Sequence, residues 1–170
     1  DLSTFPDYPA EIRAPAGTVN GVSSFPVHSS DHDPTTPGEA LRHIKSVRPF
    51  IELPDLMVGD PSKLGGPMLA MINVGARLGV LGKPVAAKHD KALAEALALM
   101  TVSLTDGAGA VIDSGKGSAT LGNPLNAAIW LAQDLARAGT PLKRGDLLSL
   151  GSFSKLRPPQ PGLVVTARYE

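Results

Sequence analysis

The feature that most constrains the fold is a helix with clear signals at both ends. Asn123 is an N-cap residue, Pro124 fits the first helical position, and Gly139 is typical of a helix C-terminus. Between them, apolar residues recur at helical spacing and predict one buried stripe: Leu125, Ala128, Ile129, Leu131, Ala132 and Leu135. A helix of this kind needs a second apolar layer to pack against.

Strand-like segments supply that layer. Thr101–Thr105 and Ala110–Asp113 flank a Gly-rich turn and predict a β-hairpin, and Leu147–Leu150 and Leu163–Tyr169 read as strands. Residues 90–100 favour a helix or a helical turn leading into a strand, whereas residues 68–80 fit a helix or a strand equally well. Met100 and Trp130 are predicted to lie in the core. The pattern as a whole predicts a mixed α+β domain.

The first 35 residues differ from the rest in composition. They are rich in Pro, Ser, Thr and Asp, which predicts an irregular segment over residues 1–35, with short extended pieces at most. Residues 36–170 form the predicted domain, complete or truncated. It opens with a capping box at Thr36–Glu39 and a helix to about Val47, which the Arg48-Pro49 step should end. A short strand, residues 50–54, follows.

Charge and composition exclude several classes of function. Sixteen basic residues balance sixteen acidic ones, and aromatic residues make up 4% of the chain, so neither a nucleic-acid partner nor a membrane partner is expected. The absence of cysteine excludes disulfides and thiolate chemistry. The chain begins with Asp1, which fits a processed product or a fragment. A cytoplasmic location is expected, with export after signal cleavage as the alternative.

Six segments, in order, carry a resemblance to a known family. From about residue 34 onwards the chain resembles the 2-keto-4-pentenoate hydratase and 4-oxalocrotonate decarboxylase branch of the fumarylacetoacetate hydrolase superfamily. The resemblance implies an α+β fold, a mixed β-roll or sandwich with flanking helices. The matching segments are residues 36–41, 48–55, 72–79, 121–126, 143–152, and 161–162 leading into 164–169.

The resemblance also implies a chemistry. Family members add water to a 2-hydroxy-dienoate to give a 4-hydroxy-2-oxo acid, and related enzymes decarboxylate 4-oxalocrotonate. They use a divalent cation, Mg²⁺ or Mn²⁺, which a 2-oxo acid can chelate and which stabilises an enolate. The implied function is a metal-dependent hydro-lyase acting on a small 2-oxo acid, in a homo-oligomer. The alternatives are a decarboxylase and a non-catalytic member of the same fold.

Site residues follow from the matching positions. The resemblance implies that Glu52 is a metal ligand and that Asp55 and Asn73 act in catalysis. It also implies substrate binding by Gly151 and Ser152, and the bidentate guanidinium makes Arg77 a further candidate to bind a substrate carboxylate. Three of the six have a simpler interpretation: Glu52 as a solvent-facing strand residue, Asp55 as a turn cap and Arg77 as a surface charge.

The chain departs from the family pattern in its first part. The family has a Glu-x-Glu pair about thirty residues before the position of Glu52, and counting back reaches residues 18–22, which hold no carboxylate. A lysine of the family's N-terminal part is also missing. The four residues His28, Asp31, His32 and Asp33 are candidate replacement ligands or part of a polar loop. The missing pair favours a non-catalytic member, unless further residues of a longer protein supply it.

Overall fold

The computed structural model describes residues 12–13, 18–25, 34–56, 58–87, 91–157 and 161–170. Nine strands and four α-helices lie within these ranges, together with four short 3₁₀ helices. The 3₁₀ helices are Leu41–His43, Pro61–Lys63, Asn73–Gly75 and Gly117–Ala119. In chain order the other elements are β1 (Ile12–Arg13), β2 (Thr18–Phe25), α1 (Pro37–Ala40), β3 (Ser46–Leu53), α2 (Gly66–Met71), β4 (Leu78–Leu81), β5 (Val85–Ala86), α3 (Lys91–Leu99), β6 (Thr101–Asp106), β7 (Val111–Lys116), α4 (Pro124–Arg137), β8 (Asp146–Ser152) and β9 (Val164–Tyr169).

The strands form two antiparallel sheets. The four-stranded sheet has the order β1-β9-β6-β7, and the five-stranded sheet has the order β4-β3-β2-β8, with β5 also paired to β3. One hydrophobic core joins the inner residues of both sheets to the helices, from Leu41 and Leu125 in the helices to Val102 and Leu150 in the strands. The predicted α+β class is confirmed. None of the helices in the described ranges is long and apolar enough to cross a bilayer.

The helix predicted from its end signals is confirmed as α4. The Asn123 side chain accepts a hydrogen bond from Leu125 N, and Gly139 has a positive φ of 74°. Met100 is buried as predicted, but the prediction for Trp130 is wrong, because 56% of its surface is exposed. Trp130 follows the buried Ile129 and falls outside the α4 stripe, so it points away from the core.

The irregular segment predicted over residues 1–35 contains an eight-residue strand. β2 pairs with β3 at seven consecutive positions and with β8 on its other side, so it lies inside the five-stranded sheet. The sequence of β2, Thr-Val-Asn-Gly-Val-Ser-Ser-Phe, alternates weakly, and its position therefore depends on its neighbours more than on its own pattern.

The boundary predicted between the first helix and strand is wrong. The capping box forms at Thr36, but helical turns end at His43 and β3 already begins at Ser46. Pro49 lies inside β3 because the outer pairings of β3 stop on either side of it: β5 pairs with β3 up to Val47, and β4 ends opposite Phe50. A proline at such a gap removes no ladder hydrogen bond on that side.

The remaining predictions are resolved or confirmed. Residues 68–80 contain both alternatives, since α2 ends at Met71 and β4 begins at Leu78. The hairpin is confirmed as β6 and β7, with a positive φ of 84° at Gly109 in its turn.

One side chain connects the two sheets. The Tyr169 hydroxyl of β9 donates to Phe50 O at 3.0 Å and accepts from Phe50 N at 3.3 Å. Tyr169 is buried, with its ring edge-on to Phe153 at 6.5 Å between centroids. Burial raises the pKa of the Tyr169 phenol, so the hydroxyl keeps its proton and can donate.

Candidate functional site

Most of the predicted site residues lie at one end of the five-stranded sheet. Glu52 is next to last in β3, and Gly151 and Ser152 end β8. Asp55 follows β3 by two residues, and Arg77 directly precedes β4. In antiparallel neighbours the end of one strand meets the beginning of the next, so the ends of β3 and β8 meet the beginnings of β2 and β4.

The strand register places several of these positions on one face. Thr18 is the cross-strand partner of Glu52, and Asn20 is the partner of both Phe50 and Ser152. Cross-strand partners share a face, as do residues two apart in a strand. This face is opposite to the one that carries Ile51, which is buried in the core. Glu52 itself is half-buried.

An aromatic ring borders Glu52 on the β4 side. Gly79 of β4 is the cross-strand partner of Glu52, and the Phe50 ring lies over it. A Cβ added at Gly79 would come within 2.2 Å of the Phe50 ring, so a side chain there would displace the ring. The glycine thus allows an apolar surface to form next to the carboxylate.

A tight turn follows α2 and contacts the residues after β3. Asn73, Val74 and Gly75 all have positive φ values, of 50°, 56° and 70°. Gly75 O accepts from Asp55 N at 2.8 Å, and a Cβ at Gly75 would meet Asp55 O at 3.1 Å. Positive φ is unusual for a β-branched residue such as Val74 and indicates backbone strain.

The turn brings two of the predicted residues into contact. Arg77 Nε lies 3.9 Å from Asp55 Oδ2, and both side chains are at least half exposed. An ion pair with this exposure adds little stability, so both groups stay accessible to a charged ligand. Asn73 is also exposed, beside the same turn.

The two residues at the end of β8 form a turn of their own. The Ser152 hydroxyl donates to Ser154 O at 2.6 Å and accepts from Ser154 N at 3.3 Å. Gly151 has a φ of 100°, and a Cβ there would touch the Thr120 side chain. Ser152 therefore stabilises its own turn, and one acceptor lone pair remains for a ligand.

The described residues do not provide the donors for a hard divalent cation. Such ions take six or more oxygen ligands and usually several carboxylates. No group of three or more His, Asp or Glu side chains that could hold a metal occurs in the described ranges. Glu52 faces a threonine position and a glycine, and Asp55 is paired with Arg77. The cluster His28, Asp31, His32 and Asp33 lies outside the described residues.

A separate groove of about 570 Å³ lies between α1, α3 and the beginning of α4. Three of its four charged residues already interact within the chain: Lys91 pairs with Glu95 at 3.3 Å, and Glu39 accepts hydrogen bonds in the capping box. It contains none of the predicted site residues. The end of the five-stranded sheet therefore remains the candidate site.

Sequence reasoning missed three positions of this site. Phe50 could have been included, because residues two apart in a strand share a face and Phe50 is two before Glu52. Thr18 and Asn20 were noted only for lacking carboxylates, and their pairing with Glu52 and Ser152 depends on the sheet register.

Comparisons with known proteins agree with the resemblance. No family model matches the chain. It is 50% identical over 48 residues to a 2-keto-4-pentenoate hydratase of Burkholderia vietnamiensis and 45% identical over 60 residues to the TodF product hydratase of Pseudomonas putida. These stretches make up 28% and 35% of this chain but only 18% and 22% of the two hydratases.

A solved structure shows the same fold over most of the chain. The 4-oxalocrotonate decarboxylase of Pseudomonas putida G7, complexed with magnesium and adipate, aligns with a TM-score of 0.73 and 24% identity. The alignment covers 91% of this chain and 57% of the decarboxylase, so the chain corresponds to part of its length. The chain is therefore similar to 2-keto-4-pentenoate hydratases over short stretches of sequence, and it shares its fold with 4-oxalocrotonate decarboxylase, in agreement with the resemblance.

Proposed function

We propose that this chain acts as a hydro-lyase on a small 2-hydroxy-dienoate or 2-oxo acid, bound at the end of the five-stranded sheet around Glu52. The observation that carries the proposal is the gathering of Glu52, Asp55, Arg77 and Ser152 at that end, beside the Phe50 ring. The hydratase relatives support the reaction class.

The side chains fit the parts of such a substrate. The Arg77 guanidinium, exposed and only 3.9 Å from Asp55, can exchange that partner for the substrate carboxylate. The Phe50 ring offers an apolar surface to the hydrocarbon chain. Hydration moves the enol proton to the terminal carbon of the diene, and water then adds its hydroxyl to C4 and a proton to C3. A carboxylate can carry these protons. We assign that role to Glu52, with Asp55 and Asn73 beside the substrate.

The test follows the ultraviolet absorbance of 2-hydroxypenta-2,4-dienoate. We expect the wild-type chain to consume it and Glu52→Gln to lose at least about tenfold in rate, in the range of general acid–base contributions. Glu95→Gln is the matched control, because Glu95 is an exposed glutamate of α3 paired with Lys91. Equal rates for wild type and Glu52→Gln would refute the role of Glu52.

A non-catalytic binding function is the second candidate. Among the neighbouring positions 18, 20 and 52, only Glu52 carries a carboxylate, and a single carboxylate is a small set of groups for catalysis. A chain of this kind would bind a 2-oxo acid, measured by calorimetry, without consuming it. Carbon dioxide release from 4-oxalocrotonate would instead identify a decarboxylase.

A further inference from the structure

We infer that the Glu52 end of the five-stranded sheet holds no resident divalent cation in this chain, because positions 18 and 20 of β2 carry Thr and Asn where a cation would need carboxylates. The inference concerns cation binding alone. It does not depend on the proposed reaction, since its test contains no substrate.

The register identifies these two positions. Position 18 lies directly across from Glu52, so their Cβ atoms are about 5 Å apart. Position 20 lies on the same face two residues further along, diagonal to Glu52 at about 7–8 Å. Long acidic side chains at 18 and 20 would therefore meet the Glu52 carboxylate over one point of the sheet. No other neighbour of Glu52 in the ladder offers a ligand, because its partner in β4 is Gly79.

The charges around this point disfavour a cation. Glu52 contributes one negative charge. The Asp55 carboxylate lies near Arg77, and the two charges offset each other. A divalent ion would lose most of its hydration in exchange for a single carboxylate, and such an exchange is unfavourable.

Placing carboxylates at the two positions should create the site. The experiment titrates Mg²⁺ alone into the chain by calorimetry and follows thermal unfolding with and without the ion. We expect no saturable Mg²⁺ binding at this end of the sheet in the wild type. Thr18→Glu combined with Asn20→Glu should show saturable Mg²⁺ binding, at least about tenfold tighter than the weakest binding that the titration detects, and Mg²⁺ should then raise the unfolding temperature.

Matched variants separate charge from size. Thr18→Gln with Asn20→Gln keeps the side-chain length without the charge and should behave as the wild type. Adding Glu52→Gln to the double glutamate variant should remove the new binding. If the double variant does not fold, Thr18→Glu alone still pairs two carboxylates across the strands and should bind Mg²⁺ more tightly than the wild type.

Two results would overturn the inference. One is Mg²⁺ binding by the wild type that Glu52→Gln abolishes, which would mean that other residues complete the site. The other is a folded double glutamate variant that binds Mg²⁺ no better than the wild type. Wild-type binding that Glu52→Gln leaves unchanged would support the inference, because the ion would then be held elsewhere.

Discussion

Two regions of the molecule are stabilised in opposite ways. One is the helical layer, which comprises α1 with the following turn Leu41–His43, α3 and α4. The other is the α2–β4 segment, residues 66–81. In the helical layer, Leu41 and Leu125 are fully buried, and capping hydrogen bonds begin α1 and α4. In the α2–β4 segment, 84% of Met71 and 63% of Leu78 are exposed, and three consecutive residues have positive φ. The first region is stabilised by local signals and burial, the second by the pairing of β4 with β3 and by a few contacts with the residues after β3.

This difference in burial matters because part of the candidate site lies in the α2–β4 segment, which has the fewer buried contacts. Asn73 and Arg77 belong to the α2–β4 segment, whereas Gly151 and Ser152 end a strand that packs against α4. Regions with few buried contacts open at lower free energy than the core. One side of the site is thus firmly held and the other is free to adjust to a ligand.

The largest expected effect is on the helical layer. Asn123 is buried, caps α4 through Leu125 N, and donates through Nδ2 to Ala94 O at 2.8 Å. Asn123→Ala loses both bonds and should lower the free energy of unfolding by about 2 kcal/mol in a urea titration. Asn123→Ser keeps a cap but not the bond to α3, and should lose about half as much. Equal losses for the two variants would show that the cap contributes nothing, and no loss in Asn123→Ser would show the same for the bond to α3.

An effect of opposite sign is expected in the α2–β4 segment. Val74 has a φ of 56° and is 62% exposed, so Val74→Gly relieves strain and removes little packing. The unfolding free energy should rise by up to about 1 kcal/mol. Ala76→Gly is the control, because Ala76 is exposed with a φ of −58° and should lose stability. A loss of stability in Val74→Gly would mean that Val74 makes contacts that offset its strain.

The smallest effect is a pH dependence at the start of the helical layer. Hydrogen bonds from Thr35 N, from the Thr35 hydroxyl and from Thr36 N lower the pKa of Glu39. Since the folded-state pKa is below the unfolded one, the ionised carboxylate stabilises the fold at neutral pH, and this contribution is lost as the pH falls through the acidic range. Glu39→Gln should be less stable than the wild type at neutral pH, and their urea midpoints should converge in acid. Parallel curves would contradict this.

The sequence predicted the elements whose signals are local. Asn123, Pro124 and Gly139 define α4 without any reference to the rest of the chain, and the hairpin turn does the same for β6 and β7. β2 was missed because its pairing with β3 and β8 is non-local. Trp130 was wrongly predicted to lie in the core because the prediction relied on its large apolar side chain and not on its position outside the buried stripe of α4.

The sequence predicted the site only in part, because matching positions identify residues but not the contacts that the fold gives them. The resemblance selected Glu52, Asp55, Arg77 and Ser152, which the fold gathers at one end of a sheet. Their chemical roles stay predictions, as do the 2-oxo acid ligand and self-association. That the Ser152 hydroxyl would be engaged in its own turn depends on backbone geometry that the sequence does not encode locally.

The hydroxyl of Tyr169 has a consequence for how substitutions far from the site can act. A single oxygen atom bonds both the N–H and the C=O of Phe50, two residues before Glu52. These two bonds fix the position of β3 in one sheet relative to β9 in the other. Sliding of the two sheets past each other would have to break both bonds at once. Changes in the packing around Phe153 and Tyr169 would therefore be transmitted to the carboxylate without altering any residue next to it.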